Sequence, residues 1–144
     1  MSTKKADGFS AAEKAAMAER ARELKAEAKS NQLRADGEKD LRAKIADFPP
    51  HEQEMALRLH ELVSTHAPML SPKTWYGMPA WTRDGKVVCF FQNGSKFGVR
   101  YNTLGFQDAA TLDDSPMWPT SYALLALTPE IEERIIALLK KATK

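Results

Sequence analysis

The chain has 144 residues, 43% of them hydrophobic and 28% charged. That is the size and balance of one ordinary globular domain with at most an appendage, and it excludes collagen-like and wholly disordered chains. Lys and Arg total 21 against 19 Asp and Glu, a net charge of +2 that gives no reason to expect nucleic acid as the partner.

The start, Met1-Ser2-Thr3-Lys4-Lys5, is basic but leads into charged, Ala-rich sequence without the apolar core of a secretory signal. No apolar run approaches the ~20 residues that cross a bilayer. The expectation is a cytoplasmic protein without a membrane segment. The composition of Ala11 to Lys29 predicts a helix, and Ser10 with Glu13 has the spacing of a capping box. Its apolar stripe, Met17, Ala21, Leu24 and Ala28, is narrow, so this helix should be a solvated arm rather than part of the core. Ser30 to Gly37 reads as a break, followed by a short helix from Glu38 to Asp47 with Leu41 and Ile45 inward. Pro49-Pro50 stops it. These boundaries divide the chain into an N-terminal helical extension, residues 1–37, and a domain, residues 38–144.

Pro50 to His66 predicts a helix with Met55, Leu59, Leu62, Val63 and His66 on one face. The next stretch holds two turn dipeptides, Asp84-Gly85 and Asn93-Gly94, each between β-prone runs. They predict strands Ala80–Arg83, Lys86–Gln92 and Ser95–Tyr101, preceded by Lys73–Tyr76. Two-residue turns fix the register. Trp81 then faces Val88, Phe90 faces Phe97 and Val88 faces Val99, all toward the core. The other face carries Val87, Cys89 and Phe91 opposite Arg100, Gly98 and Lys96. Phe106 and Trp118 should pin the long connection from Asn102 to Thr120. Ser121–Leu127, apolar almost throughout, should be a strand covered on part of both faces. Thr128 and Pro129 begin a final helix whose inner stripe is Ile131, Ile135, Leu138, Leu139 and Ala142. The expected fold is α+β: a two-layer sandwich, with helices on one face of an antiparallel sheet.

The sequence contains no Ser/His/Asp spacing and no Gly-rich phosphate loop, which points to a non-enzymatic role. His60 and His66 are six apart and sit on different helix faces; His51 and Glu54 share a face and offer at most a weak, exposed cation site. Asp113-Asp114 reads as a turn or helix cap. Cys89 lies mid-strand and is expected to be a buried structural thiol. Trp75 and Tyr76 are adjacent, so they point to opposite sheet faces. One of them should join Phe91, Lys96 and Arg100 on the helix-free face, which becomes a docking surface for a protein partner or for a planar or anionic ligand. On this reading, truncating Phe91 and Arg100 leaves folding intact. A second reading places a small-ligand pocket, which leaves a catalytic role open, between Gly77-Met78-Pro79 and Trp118-Pro119, lined by Met78 and Trp118. The expected state is a monomer or weak dimer.

The run Pro72-Lys73-Thr74-Trp75-Tyr76-Gly77-Met78-Pro79-Ala80-Trp81 resembles the signature of the YdhG-like family of small bacterial proteins. Phe48-Pro49-Pro50, Gly85-Lys86 and the closing helix fit the same pattern, so the resemblance covers about residues 38–143. Met117-Trp118-Pro119 is similar to a segment of a subgroup that also carries an N-terminal extension. The resemblance implies a frataxin-like α–β–α sandwich and a role like that of an iron chaperone, with iron as the only cofactor suggested. The helix that matches the frataxin acidic ridge offers His51, Glu52, Glu54, His60 and Glu61, interrupted by Arg58.

Overall fold

The computed structural model describes residues 10–144; the basic start, Met1 to Lys5, lies outside the described residues. The chain divides into two compact units, Met1–Ala35 and Asp36–Lys144. Helix α1 (Ala11–Ile45) runs through the boundary without interruption. Its start is capped reciprocally: Ser10 N–H donates to Glu13 Oε1 at 2.8 Å, and Glu13 N–H donates to Ser10 Oγ at 3.1 Å. Arg20 reaches Glu23 at 3.3 Å and Glu27 at 3.6 Å. Met17, Leu24 and Leu33 are exposed.

The break expected at Ser30 to Gly37 is absent. One glycine costs a helix only about 1 kcal/mol, which the burial of Leu41 and Ile45 in the following turns outweighs. Gly37 serves packing instead. A Cβ there would lie 2.2 Å from the Pro72 carbonyl oxygen, so the glycine lets α1 settle against the backbone of the first strand. Gly37→Ala should therefore destabilise the domain by about 1–2 kcal/mol, because the overpacking penalty exceeds the gain in helix propensity. Thermal unfolding checks this. A higher melting temperature would show that the close approach does not constrain the helix.

Helix α2 (Pro50–His66) follows Phe48-Pro49, with proline at its first position. Then come β1 (Ser71–Trp75), β2 (Met78–Arg83), β3 (Lys86–Gln92), a single helical turn α3 (Gly94–Phe97), β4 (Asn102–Phe106), β5 (Ser121–Leu124) and α4 (Pro129–Ala142). Thr128 Oγ1 accepts from Ile131 N–H at 3.2 Å and caps α4. The five strands form one antiparallel meander in the order β1-β2-β3-β4-β5. The class is α+β.

Both β1–β2 and β2–β3 reverse through two-residue turns with positive φ at each central residue. Tyr76 and Gly77 have φ +50° and +76°; Asp84 and Gly85 have +52° and +80°. This type I′ geometry matches the twist of the paired strands. Asn93-Gly94 does not make such a turn. The segment expected as strand Ser95–Tyr101 is instead the α3 turn and a loop, and the fourth strand is β4.

The pairing of β2 with β3 is also shifted. Trp81 pairs with Cys89 and Thr82 with Val87, which leaves Val88 as the extra residue of a β-bulge. The bulge resets the alternation beyond it. Trp81, Val88, Cys89 and Phe91 face the helices with Leu104 and Phe106, whereas Phe90 turns to the other face. Phe91 is 0% exposed and its ring lies 6.2 Å from that of Phe48; Phe97 and Val99, expected in the core, are exposed. In β5 the side chains alternate: Ser121 and Ala123 are exposed while Leu124 is buried, so this edge strand is covered on one face rather than both.

Three helical segments cover the inner sheet face: the last turns of α1, then α2 and α4. Arg58 joins α2 to α4, donating to both oxygens of Glu132 at 2.7 and 2.8 Å and to Glu61 at 2.7 Å. Trp81 Nε1–H donates to the buried His60 Nδ1 at 3.1 Å, and His60 Nε2 lies 3.6 Å from Glu38. Among the described residues no helix is long and apolar enough to cross a membrane.

Candidate functional site

The outer sheet face is where the chain leaves aromatic surface uncovered. Cross-strand register puts Trp75 and Met78, Ala80 and Phe90, and Gly105 on this one face. The Phe90 ring covers Gly105, where a Cβ would meet ring atoms at 2.2 to 2.9 Å. Trp75 packs against Phe90 with ring centroids 5.3 Å apart, and Tyr76 meets Trp75 edge-on at 5.1 Å. Ala80 and Met78 are buried beneath this aromatic layer.

The layer continues at the turn end of β1–β2. Lys96 Nζ lies 2.7 Å from the position a Cβ on Gly77 would take, and 5.6 Å from the centroid of the Phe97 ring. Phe90, Trp75, Tyr76, Lys96 and Phe97 thus form a contiguous aromatic and basic band. Tyr76 is 81% exposed, Phe97 49% and Val99 42%.

The loop carrying Lys96 and Phe97 is fixed by a buried carboxylate on α2. Glu52 is 7% exposed and accepts from Ser95 Oγ–H at 2.6 Å, Ser95 N–H at 2.9 Å and Asn93 Nδ2–H at 3.2 Å. It thereby caps α3. Burial pushes the Glu52 carboxyl up, but the Ser95 and Asn93 hydrogen bonds, aided by the His51 charge, outweigh it and hold the group below the usual carboxylate range. Asn102 Oδ1 accepts from Gly94 N–H at 2.8 Å, and Gly98, at φ +68°, closes the turn. A Cβ on Gly94 would lie 2.2 Å from the Tyr101 carbonyl oxygen, so the loop folds tightly upon itself. This network explains the missing hairpin. A carboxylate 41 residues away in sequence captures the donors at Asn93 and Ser95, and the tertiary contact overrides the local Asn-Gly preference.

Of the residues expected to form a docking face, Trp75 lies on the outer face, and Tyr76 and Lys96 continue it around the turn. Arg100 is exposed on the loop, with its guanidinium 5.7 Å from the Tyr101 ring. Phe91 is not on this face: the bulge turns it inward. Phe90 takes the place expected of it, and only the bulge, invisible in the alternation of the sequence, tells the two apart. Met78 is buried under the aromatic layer and Trp118 packs against the core. The pocket expected between Gly77-Met78-Pro79 and Trp118-Pro119 does not form. Gly77 lies at the end of the sheet where Gln92 meets Thr103, whereas Trp118 enters β5 at the other end, where Thr120 O accepts from Phe106 N–H at 2.7 Å.

Cys89 is wholly buried, and burial pushes its thiol up to about 12, which removes the thiolate needed for nucleophilic or redox chemistry. Four of the acidic and histidine side chains of α2 are already engaged. Glu52 holds the loop, Glu61 holds Arg58, His60 accepts from Trp81, and His51 Nε2 lies 3.3 Å from the Leu125 carbonyl oxygen. Among the described residues no three His, Cys, Asp or Glu side chains converge as metal ligands. The donor set does not fit an iron site. A cleft of about 410 Å³ between α2 and the β5–α4 connection is lined by His51, Glu54, Arg58 and Glu132, with its arginine neutralised by the two glutamates. The chain matches no family model, no curated protein and no solved structure.

Proposed function

We propose that this chain is a non-enzymatic binding domain that docks a protein partner through the band Phe90–Trp75–Tyr76–Lys96–Phe97. The proposal takes the domain as YdhG-like and frataxin-like, on the Trp75-to-Trp81 segment and the α+β meander. The observation that carries it is the pairing of exposure with rigidity. Tyr76 sits at a left-handed backbone position that a bulky residue rarely adopts, and its ring points into solvent. An Asn would suit the turn better. Strain retained for an exposed aromatic side chain argues that the side chain is there for recognition. Phe97 is exposed without such strain, displayed on a loop that a buried carboxylate and two asparagines hold in place.

Tyr76→Asn separates folding from binding. The relief of left-handed strain is about 1 kcal/mol, and the lost edge contact with Trp75 about 0.5–1.5 kcal/mol, so the two nearly cancel. The melting temperature should stay within about 4 °C of the parent. Affinity capture should recover a protein with the parent chain that is absent with Tyr76→Asn and with Phe97→Ser. An identical set of captured proteins from parent and variants would remove the band as the docking surface.

A further inference from the structure

We infer that Lys44, Lys96 and the Tyr76-Gly77 turn form a binding site for a phosphate-type dianion, either free phosphate or a phosphate monoester. The site stands on its own geometry and does not depend on a protein docking at the band.

Two lysines from distant parts of the chain converge on one glycine. Lys44 comes from the last turn of α1 and is half-buried; Lys96 comes from α3. Both ammonium nitrogens lie within 4.0 Å of the point that a Cβ on residue 77 would occupy, Lys96 Nζ at 2.7 Å and Lys44 Nζ at 4.0 Å. Neither forms an ion pair with a described carboxylate. Like charges drawn to one point repel, and an anion bound there offsets that repulsion. A phosphate group carries close to two negative charges at neutral pH and offers three oxygens, which matches two ammonium donors.

Gly77 supplies the space. Its φ of +76° suits glycine but is also tolerated by Asn, so backbone conformation alone does not demand a missing side chain here. What a side chain would do is occupy the point that both ammonium groups approach. The Phe97 ring lies 5.6 Å from Lys96 Nζ, and Tyr76, next to Gly77 in the turn, is exposed, so both offer aromatic surface to a monoester with a flat substituent.

The test is amide and side-chain NMR of the full chain at low ionic strength, titrated separately with inorganic phosphate and with phenyl phosphate. The Gly77 amide and the Lys44 and Lys96 side chains should shift together and saturate. Equal affinities assign the site to free phosphate; tighter binding of phenyl phosphate assigns it to monoesters. Lys44→Gln and Lys96→Gln should each weaken binding about tenfold, the loss of one charge-assisted hydrogen bond. Gly77→Asn should abolish it by filling the cradle. Lys86→Gln, at the far end of the sheet, should leave it unchanged. The inference is overturned if neither probe moves the Gly77 amide, or if Lys86→Gln weakens binding as much as the two site variants, which would reduce the effect to diffuse charge.

Discussion

Phe91→Ala should cost the domain about 3–5 kcal/mol, the usual price of deleting a fully buried aromatic side chain. Set against a typical stability of about 5–15 kcal/mol, that is enough to bring the variant near unfolding at ordinary temperatures. Urea denaturation gives the number. One structural feature sets this cost, the bulge at Val88 that turns Phe91 onto Phe48 and away from solvent. Simple alternation from the Asp84-Gly85 turn makes the opposite prediction, an exposed Phe91 whose truncation leaves folding intact. Arg100→Ala supplies the contrast. Its side chain is exposed and forms no ion pair among the described residues, so stability should change by less than about 0.5 kcal/mol. A double-mutant cycle with Phe48→Leu should show a coupling of about 0.5–1.5 kcal/mol between the two rings. A loss of under about 1 kcal/mol for Phe91→Ala would mean that the strand faces are assigned the wrong way round.

This case shows which parts of the fold are legible in the residues. Signals that act within a few positions read well. The Ser10–Glu13 cap, the proline start of α2, the Asp84-Gly85 turn and the Thr128 cap of α4 all form as their spacing predicts. Signals decided by distant contacts did not. Gly37 reads as a helix break because glycine is a poor helix former, yet its place is set by the backbone of Pro72. Asn93-Gly94 reads as a hairpin, yet Glu52 takes the donors that flank it. The extra residue Val88 has no local mark at all, and it exchanges Phe90 for Phe91 on the outer sheet face. The candidate site was legible to the same degree. Trp75 lies on the band, but Tyr76, expected on the opposite face from it as a strand neighbour, sits in the turn and joins the same band, and Lys96 reaches it from a helical turn rather than a strand. Phe90 and Phe97 belong to it only because of the bulge and the α3 turn, and Lys44 only because of where α1 ends.

Glu52→Ala should destabilise the domain by about 2–4 kcal/mol, through the stranding of three donors around a vacated, buried acceptor. The loss should also be local. Hydrogen exchange at the Ser95 amide should accelerate before that of β3 or β4, since Glu52 is what that N–H binds. Glu52→Gln keeps the shape but surrenders the charge, and its smaller deficit should depend on pH with a definite sign. The folded-state pKa of Glu52 lies below its unfolded value. The stabilisation is therefore complete above the unfolded value, near the ordinary 4.5, and is lost as pH falls through the lower folded one. The stability difference between parent and Glu52→Gln should be constant from neutral pH down to about 5 and shrink below that. Glu38 and Glu132 are also held below the usual range, Glu38 by Arg42 and Glu132 by Arg58, and they titrate in the same window. Both are present in parent and variant alike, so they cancel in the difference. A gap that stayed constant down to pH 3, or widened there, would show that the carboxylate is not the group that fixes the loop. Because Lys96 and Phe97 ride on that loop, Glu52→Ala should weaken partner capture and phosphate binding together, whereas Tyr76→Asn acts on capture with the loop intact.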